Sequence, residues 1–170
     1  MDLPSKATHQ ATREHNVRLV LRALANLGPI SRADISTVGR LQGRPDLIID
    51  EVTGTQHFTL PMFTDVAPFD NVDVRLALKL AINREELVQK ILFGHGQIGN
   101  DHPIAPANRY FAADLPQRPY DPEQAKFHLK KSGMEGLTVD LHAADAAFLG
   151  AVETAILYAE QAAKAGITVN

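Results

Sequence analysis

The chain of 170 residues has no cysteine. Disulfides, thiolate zinc sites and cysteine nucleophiles are therefore excluded. It also lacks any apolar run near the roughly 18 residues that a membrane-spanning helix needs, so direct insertion into a bilayer is not expected. The opening residues, Met1-Asp2-Leu3-Pro4-Ser5-Lys6, have no apolar stretch of the secretory type. Translated as written, the chain is expected in the cytoplasm. No G-x-S-x-G and no Walker sequence is present. The histidines include no i, i+4 pair on a helix, so His95, Asp101 and His102 read as loop polar groups rather than metal ligands, and His57, His128 and His142 stand singly. Enzymatic chemistry has no visible carrier. The reading is of a protein that is not an enzyme and needs no cofactor.

What is present suits a globular chain. Hydrophobic residues make up 45% and charged residues 22%, too apolar for a disordered protein. The net charge of −3 is unevenly spread. Residues 1–40 hold six Lys/Arg against three Asp/Glu, while residues 41–170 hold 11 against 17. A basic head on an acidic body suggests two origins. Phosphate binding needs clustered cations, so the acidic body argues against a broad nucleic-acid surface. Arg13, Arg18, Arg22 and Arg32 make only a small patch, read as the solvated face of a helix.

Periodicity predicts a helix over 12–27, with Val17, Val20, Leu21, Leu24 and Leu27 on one side and Gly28-Pro29 as its stop. Ser31 reads as the N-cap of a second helix that fails before Gly39, Gly43 and Pro45. The domain boundary is placed near Arg40. Leu47 to Val52 and Thr55 to Met62 read as strands. Asp70 or Asn71 caps a helix through Val74, Leu78, Ala81 and Ile82. A second helix begins at the cap Asn83, with Glu86 as the reciprocal partner of a capping box. Residues 94–120 read as irregular. Asp121-Pro122-Glu123-Gln124 starts a helix that Gly133 ends, with Phe127 and Leu129 as its apolar contacts. Leu137 to Leu141 alternates as a strand. A helix over 145–165 with Phe148, Val152, Ile156 and Ala159 on one face leads to a strand at 167–169, which makes a parallel βαβ unit. The chain as written then stops inside its last strand, an odd end for a complete domain. Gly94-His95-Gly96-Gln97-Ile98-Gly99 matches G-x-G-x-x-G, but it follows a helix instead of a strand, so it does not read as a nucleotide loop.

Thr12-Arg13-Glu14-His15-Asn16-Val17-Arg18-Leu19, followed by Gly28-Pro29-Ile30-Ser31-Arg32-Ala33-Asp34-Ile35, resembles the start of ROK-family transcriptional repressors, which open with a DNA-binding winged helix-turn-helix. Ser36 then leads to Thr37-Val38-Gly39-Arg40, not to a recognition helix and wing, so the resemblance implies only the half that does not read bases.

Pro68-Phe69-Asp70-Asn71, Val74-Arg75, Ala77-Leu78, Ala81-Ile82-Asn83-Arg84 and Leu87-Val88 are similar to the block P-F-D-D/N-x-x-V-R-x-A-L/I-x-x-A-I/L-D/N-R-x-x-L/I-V/I. That block marks family 5 extracellular solute-binding proteins of peptide and nickel ABC importers. Tyr120-Asp121-Pro122-Glu123-Gln124-Ala125-Lys126 with Leu129 and Gly133 resembles its Y-D-P-x-x-A-K/R-x-x-L-x-x-A/S-G block. Physically these residues are structural: Asp70, Asn83 and Asp121 cap helices, and Arg75 and Arg84 are expected to anchor them through ion pairs. The resemblance also implies that the segment before P-F-D lines a cleft between two lobes. Its candidate ligand-binding residues are Phe58, Thr59, Met62, Phe63 and Thr64, with Phe63 where many members carry Asn.

The expected fold is α/β: an incomplete lobe of a periplasmic-binding-protein-like (type II, Venus-flytrap) fold over 41–170, with a helical, repressor-like appendage over 1–40. The resemblance implies binding of a peptide-like solute for an ABC permease and a periplasmic place for the family. One incomplete wall is expected to bind little ligand alone, and exposed apolar surface to favour self-association. The alternative is a DNA-binding regulator of ROK type, which the missing recognition helix opposes.

Overall fold

The computed structural model describes residues 38–42, 45, 48–51, 54, 56–99, 101–148 and 150–170. The helices expected over 12–36 and the cap at Ser31 lie outside them. The chain divides into two units, Met1–Val52 and Thr53–Asn170. In the first, residues 38–41 are helical, and the Gln42 N–H reaches the Val38 carbonyl at 3.0 Å. Gly39 therefore does not break the helix there; one glycine costs a helix about 1 kcal/mol and need not end it. Residues 48–51 form no strand.

In the second unit, α1 spans Val72–Leu80 and is capped by Asn71, whose side chain accepts the Asp73 N–H at 2.8 Å. Asp70 is not the cap: it belongs to the preceding turn, where its N–H bonds to the Val66 carbonyl. Helix α2 spans Arg84–Ile91, and its cap Asn83 accepts the Glu86 N–H at 3.1 Å. Helix α3, Pro122–Ser132, follows the sequence closely. Asp121 accepts the Gln124 N–H at 2.9 Å, Pro122 opens the first turn, and Gly133 closes the helix at φ 72°. That left-handed conformation is cheap only for glycine and lets the next two N–H groups return to the helix's last carbonyls. Phe127, expected in the core, is 62% exposed; Leu129 takes that role at 2%.

Strand β1 is Thr138–Val139, α4 is Ala151–Ala163 and β2 is Thr168–Val169. The strands pair in parallel, Thr138 with Thr168 and Val139 with Val169. The Thr168 N–H meets the Leu137 carbonyl at 2.9 Å, and the Asn170 N–H meets that of Val139 at 3.0 Å. The expected strand–helix–strand order with parallel pairing is present, because parallel neighbours need a long crossover, which α4 supplies. Residues 56–62, expected as a strand, join no strand ladder: among the described residues the sheet has two strands, β1 and β2.

Helix α4 starts at Ala151 after Gly150, not at Asp145, and it is rotated from the expected face. Ala151, Thr154, Leu157, Tyr158, Gln161 and Ala162 are buried, whereas Val152 is 38% and Ile156 58% exposed. Three of the buried residues carry polar groups, so counting apolar positions alone selects the wrong face. The core unites Val74, Ala77, Leu78 and Ala81 with Ala125 and Leu129 of α3 and Tyr158, Ala162 and Ile167. Alanine at Ala77 and Ala125, both fully buried, leaves α1 and α3 little side-chain bulk to hold them apart.

Candidate functional site

The segment before α1 has no ladder partner, yet it is pinned. Leu60 and Met62 are half-buried against the core, while Thr59, Pro61 and Phe63 are exposed. That alternation is what an extended chain imposes, since successive side chains point to opposite sides. Met62 is thus an anchor, and Phe63, 78% exposed, is directed away from the core. Phe58 lies flat on Phe148, ring centroids 4.5 Å apart and planes 19° apart. Thr64 is exposed as well. Among the five candidate ligand residues, four therefore present surface to solvent and one holds the segment down.

The far end of the segment is fixed by a turn. The Val66 N–H meets the Phe63 carbonyl at 3.2 Å, and the Val66 carbonyl accepts from Phe69 and Asp70. Arg75 then reaches back from α1 and donates through Nη1 to the carbonyls of Phe69 at 2.6 Å and Asp70 at 3.0 Å. Among the described residues its anchoring runs through these backbone acceptors, not through the ion pair expected for it. A guanidinium suits this because its planar fork can serve two acceptors in one plane. Arg84 does form the expected ion pair, with Asp101 Oδ1 at 2.5 Å, and its Nη1 also donates to the Lys79 carbonyl at 3.2 Å. Arg118 binds the other oxygen of Asp101. The Arg84 pair ties the irregular stretch 94–120 to the junction of α1 and α2, and the Arg118 pair closes that stretch on itself.

Sequence reasoning missed the polar contacts that hold this platform. Gln161 is 1% exposed. Its Oε1 accepts the Asn83 N–H at 2.8 Å, and its Nε2 donates to Glu86 Oε2 at 2.9 Å. The capping box at Asn83 is therefore completed from α4, not by Glu86. Lys90 and Gln161 together hold the Glu86 carboxyl below its ordinary pKa. The Tyr158 hydroxyl donates to the Leu78 carbonyl at 3.1 Å, and burial pushes its pKa up. His128 and Lys131 of α3 both meet Asp73 Oδ1, at 2.7 and 3.0 Å, and these contacts lower the Asp73 pKa. His128 is thus a bonded residue of the α1–α3 junction, not a solitary loop group. The signal available was its position one residue before the buried Leu129, on a helix expected to pack.

Gly94 serves as a helix stop. Its N–H returns to the Val88 carbonyl at 3.0 Å, and its φ is 85°. No strand precedes the G-x-G-x-x-G stretch and no helix opens on it, so its glycines do not form a phosphate cradle. Among the described residues no group of three His, Asp or Glu converges to hold a metal ion. No helix among them is long and apolar enough to cross a membrane. The arrangement offers an outward-facing aromatic and hydroxyl surface on a fixed backbone, which suits binding.

Residues 21–170 match the model of a family described as bacterial extracellular solute-binding proteins, family 5 Middle. The match starts inside the stretch that resembles ROK repressors. Heme-binding protein A of Haemophilus influenzae is 28% identical over 100 residues, which cover 59% of this chain and 18% of that protein. The dipeptide-binding protein of Escherichia coli K12 is 30% identical over 107 residues, covering 62% of this chain and 20% of its own length. In structure, the PBP/SBP MoaA of A. tumefacien R10, solved with mannopinic acid, superposes with a TM-score of 0.52 at 28% identity. That superposition covers 63% of this chain and 21% of the neighbour. The matches thus span about a fifth of each of these proteins.

Proposed function

Since the chain belongs to the bacterial extracellular solute-binding proteins of family 5, we propose that it contributes one wall of a solute site and that residues 58–64 are that wall. The solute is peptide-like and is passed to an ABC permease, on the outer side of the membrane that the permease spans. The role is binding, without catalysis. The observation that carries this reading is the pinned segment: Leu60 and Met62 pack against the core, Phe58 leans on Phe148 with its ring part exposed, and Thr59, Phe63 and Thr64 face solvent. An aromatic ring on a fixed backbone is a low-entropy contact for a flexible solute.

The relatives include proteins named for heme and for dipeptides, so the shared frame does not set solute chemistry by itself. In this chain the choice falls to the outward side chains of 58–64. A solute resting on one wall stays largely hydrated, and few contacts must offset a translational and rotational cost of at least about 4 kcal/mol. Net binding therefore stays weaker than about 1 mM unless a second wall encloses the ligand.

The test is a chimaera in which the matching stretch of the Escherichia coli dipeptide-binding protein is replaced by the corresponding residues of this chain. It should bind a solute that can be displaced, and Phe63→Ala should weaken that binding about tenfold or more. Unchanged affinity after Phe63→Ala and Phe58→Ala together would overturn the assignment of the wall.

A further inference from the structure

Phe58 belongs to the segment 58–64, but the ring it rests on does not. Phe148 lies in the loop that runs from β1 into α4. Residues 142–147 of that loop are exposed, and the Ala147 N–H closes a turn on the Ala144 carbonyl at 2.9 Å. The loop leaves the carboxyl end of β1. In parallel α/β sheets such loops gather on one side, and ligands bind in the crevice they form.

The two rings are 4.5 Å apart at their centroids and within 19° of parallel. Phe148 thus covers one face of Phe58, yet Phe58 stays 40% exposed, through its other face and its edges. Neither ring is among the residues that form the core or pack against it. Core filling therefore does not explain the pair. The stack does hold the Phe58 ring in one orientation before any solute arrives, so little rotamer freedom is left to lose on binding. A flat π-face held this way favours a second flat ring over an aliphatic group of equal size, because stacked aromatic pairs gain beyond the area they bury.

We propose that Phe58 and Phe148 form an aromatic platform, and that Phe148 is a positioning residue that makes the wall select peptide-like solutes with an aromatic side chain. This selectivity rests on the reading of residues 58–64 as a solute wall.

Saturation-transfer NMR on the full 170-residue chain reads contacts too weak for calorimetry. The probes are the dipeptides Ala-Phe and Ala-cyclohexylalanine, matched in size and differing in ring flatness, with the alanine methyl of each as the common reporter. Transfer should favour Ala-Phe by about three- to tenfold. Phe148→Leu should bring the ratio close to one while keeping transfer to Ala-cyclohexylalanine, whereas Phe148→Tyr, which keeps a ring, should retain the preference. A purely structural role for Phe148 would lower transfer to both peptides alike, and that outcome overturns the proposal. No transfer to either peptide, or transfer that Phe58→Ala and Phe63→Ala together leave unchanged, overturns the wall itself. Equal transfer to both peptides from the parent chain, lowered for both by Phe63→Ala, leaves the wall standing and overturns the selectivity alone.

Discussion

Replacing Gln161 by methionine keeps the volume of a buried side chain and removes its polar end. The Asn83 N–H then loses the acceptor that it holds at 2.8 Å. The Glu86 carboxylate also loses a donor, but it is exposed enough to turn to water and Lys90. A partly buried donor left without a partner costs about 1–3 kcal/mol. With a urea m-value of about 1–3 kcal/mol/M, the denaturation midpoint should fall by about 1 M. Gln161→Ala should fall further, since it adds a cavity beside Ala162. Gln161→Glu keeps the acceptor for Asn83 but sets a second carboxylate against Glu86, so its deficit should shrink as the pH drops toward 4. Urea unfolding followed by far-UV circular dichroism measures all three. A methionine variant within about 0.5 kcal/mol of the parent would refute the claim that Gln161 ties α2 to α4.

Two further outcomes follow from named contacts. The folded Asp73 carboxyl titrates below its ordinary value because His128 and Lys131 bind it, so its contribution is present above about pH 4 and lost as pH falls through the folded pKa; the stability gap between the parent and Asp73→Asn should be open at pH 6 and narrow progressively as the pH falls below about 4, and a gap constant across that range would contradict the assignment. Ile156 and Val152 leave an apolar strip open on α4, so sedimentation should show concentration-dependent association that Ile156→Lys reduces; association unaltered by that change would place the contact elsewhere.

The local chemistry of the helices was legible because each signal acts within four residues. Asn83, Asp121, Pro122 and Gly133 sit where their side chains or backbone freedom must be used. The parallel pair of strands followed from a crossover of the right length. What escaped depends on partners distant in sequence. Gln161 meets Asn83 and Tyr158 meets Leu78 across some 80 residues, and these bonds decide which face of α4 is inside. An apolar count ranks Ile156 above Gln161, whereas satisfied hydrogen bonds make the reverse order stable. Arg75 escaped for a different reason: its charge suggested a carboxylate, and a turn only five and six residues back supplied carbonyls instead. The candidate site was legible as a position, since residues 58–64 precede the P-F-D turn. Which of its side chains face outward was not, because 56–62 has no strand neighbour to set its register.

If residues 58–64 form one wall of a solute site that a second wall must close, affinity should appear only where that second wall is present. Calorimetric titration of the 170-residue chain and of the dipeptide-binding chimaera, against the same set of di- to pentapeptides, tests it most directly. The chain alone should give no saturable heat, and the chimaera should bind at micromolar affinity or tighter, weakened by Phe63→Ala. Micromolar binding by the isolated chain, or binding by the chimaera that Phe63→Ala and Phe58→Ala leave untouched, would contradict it.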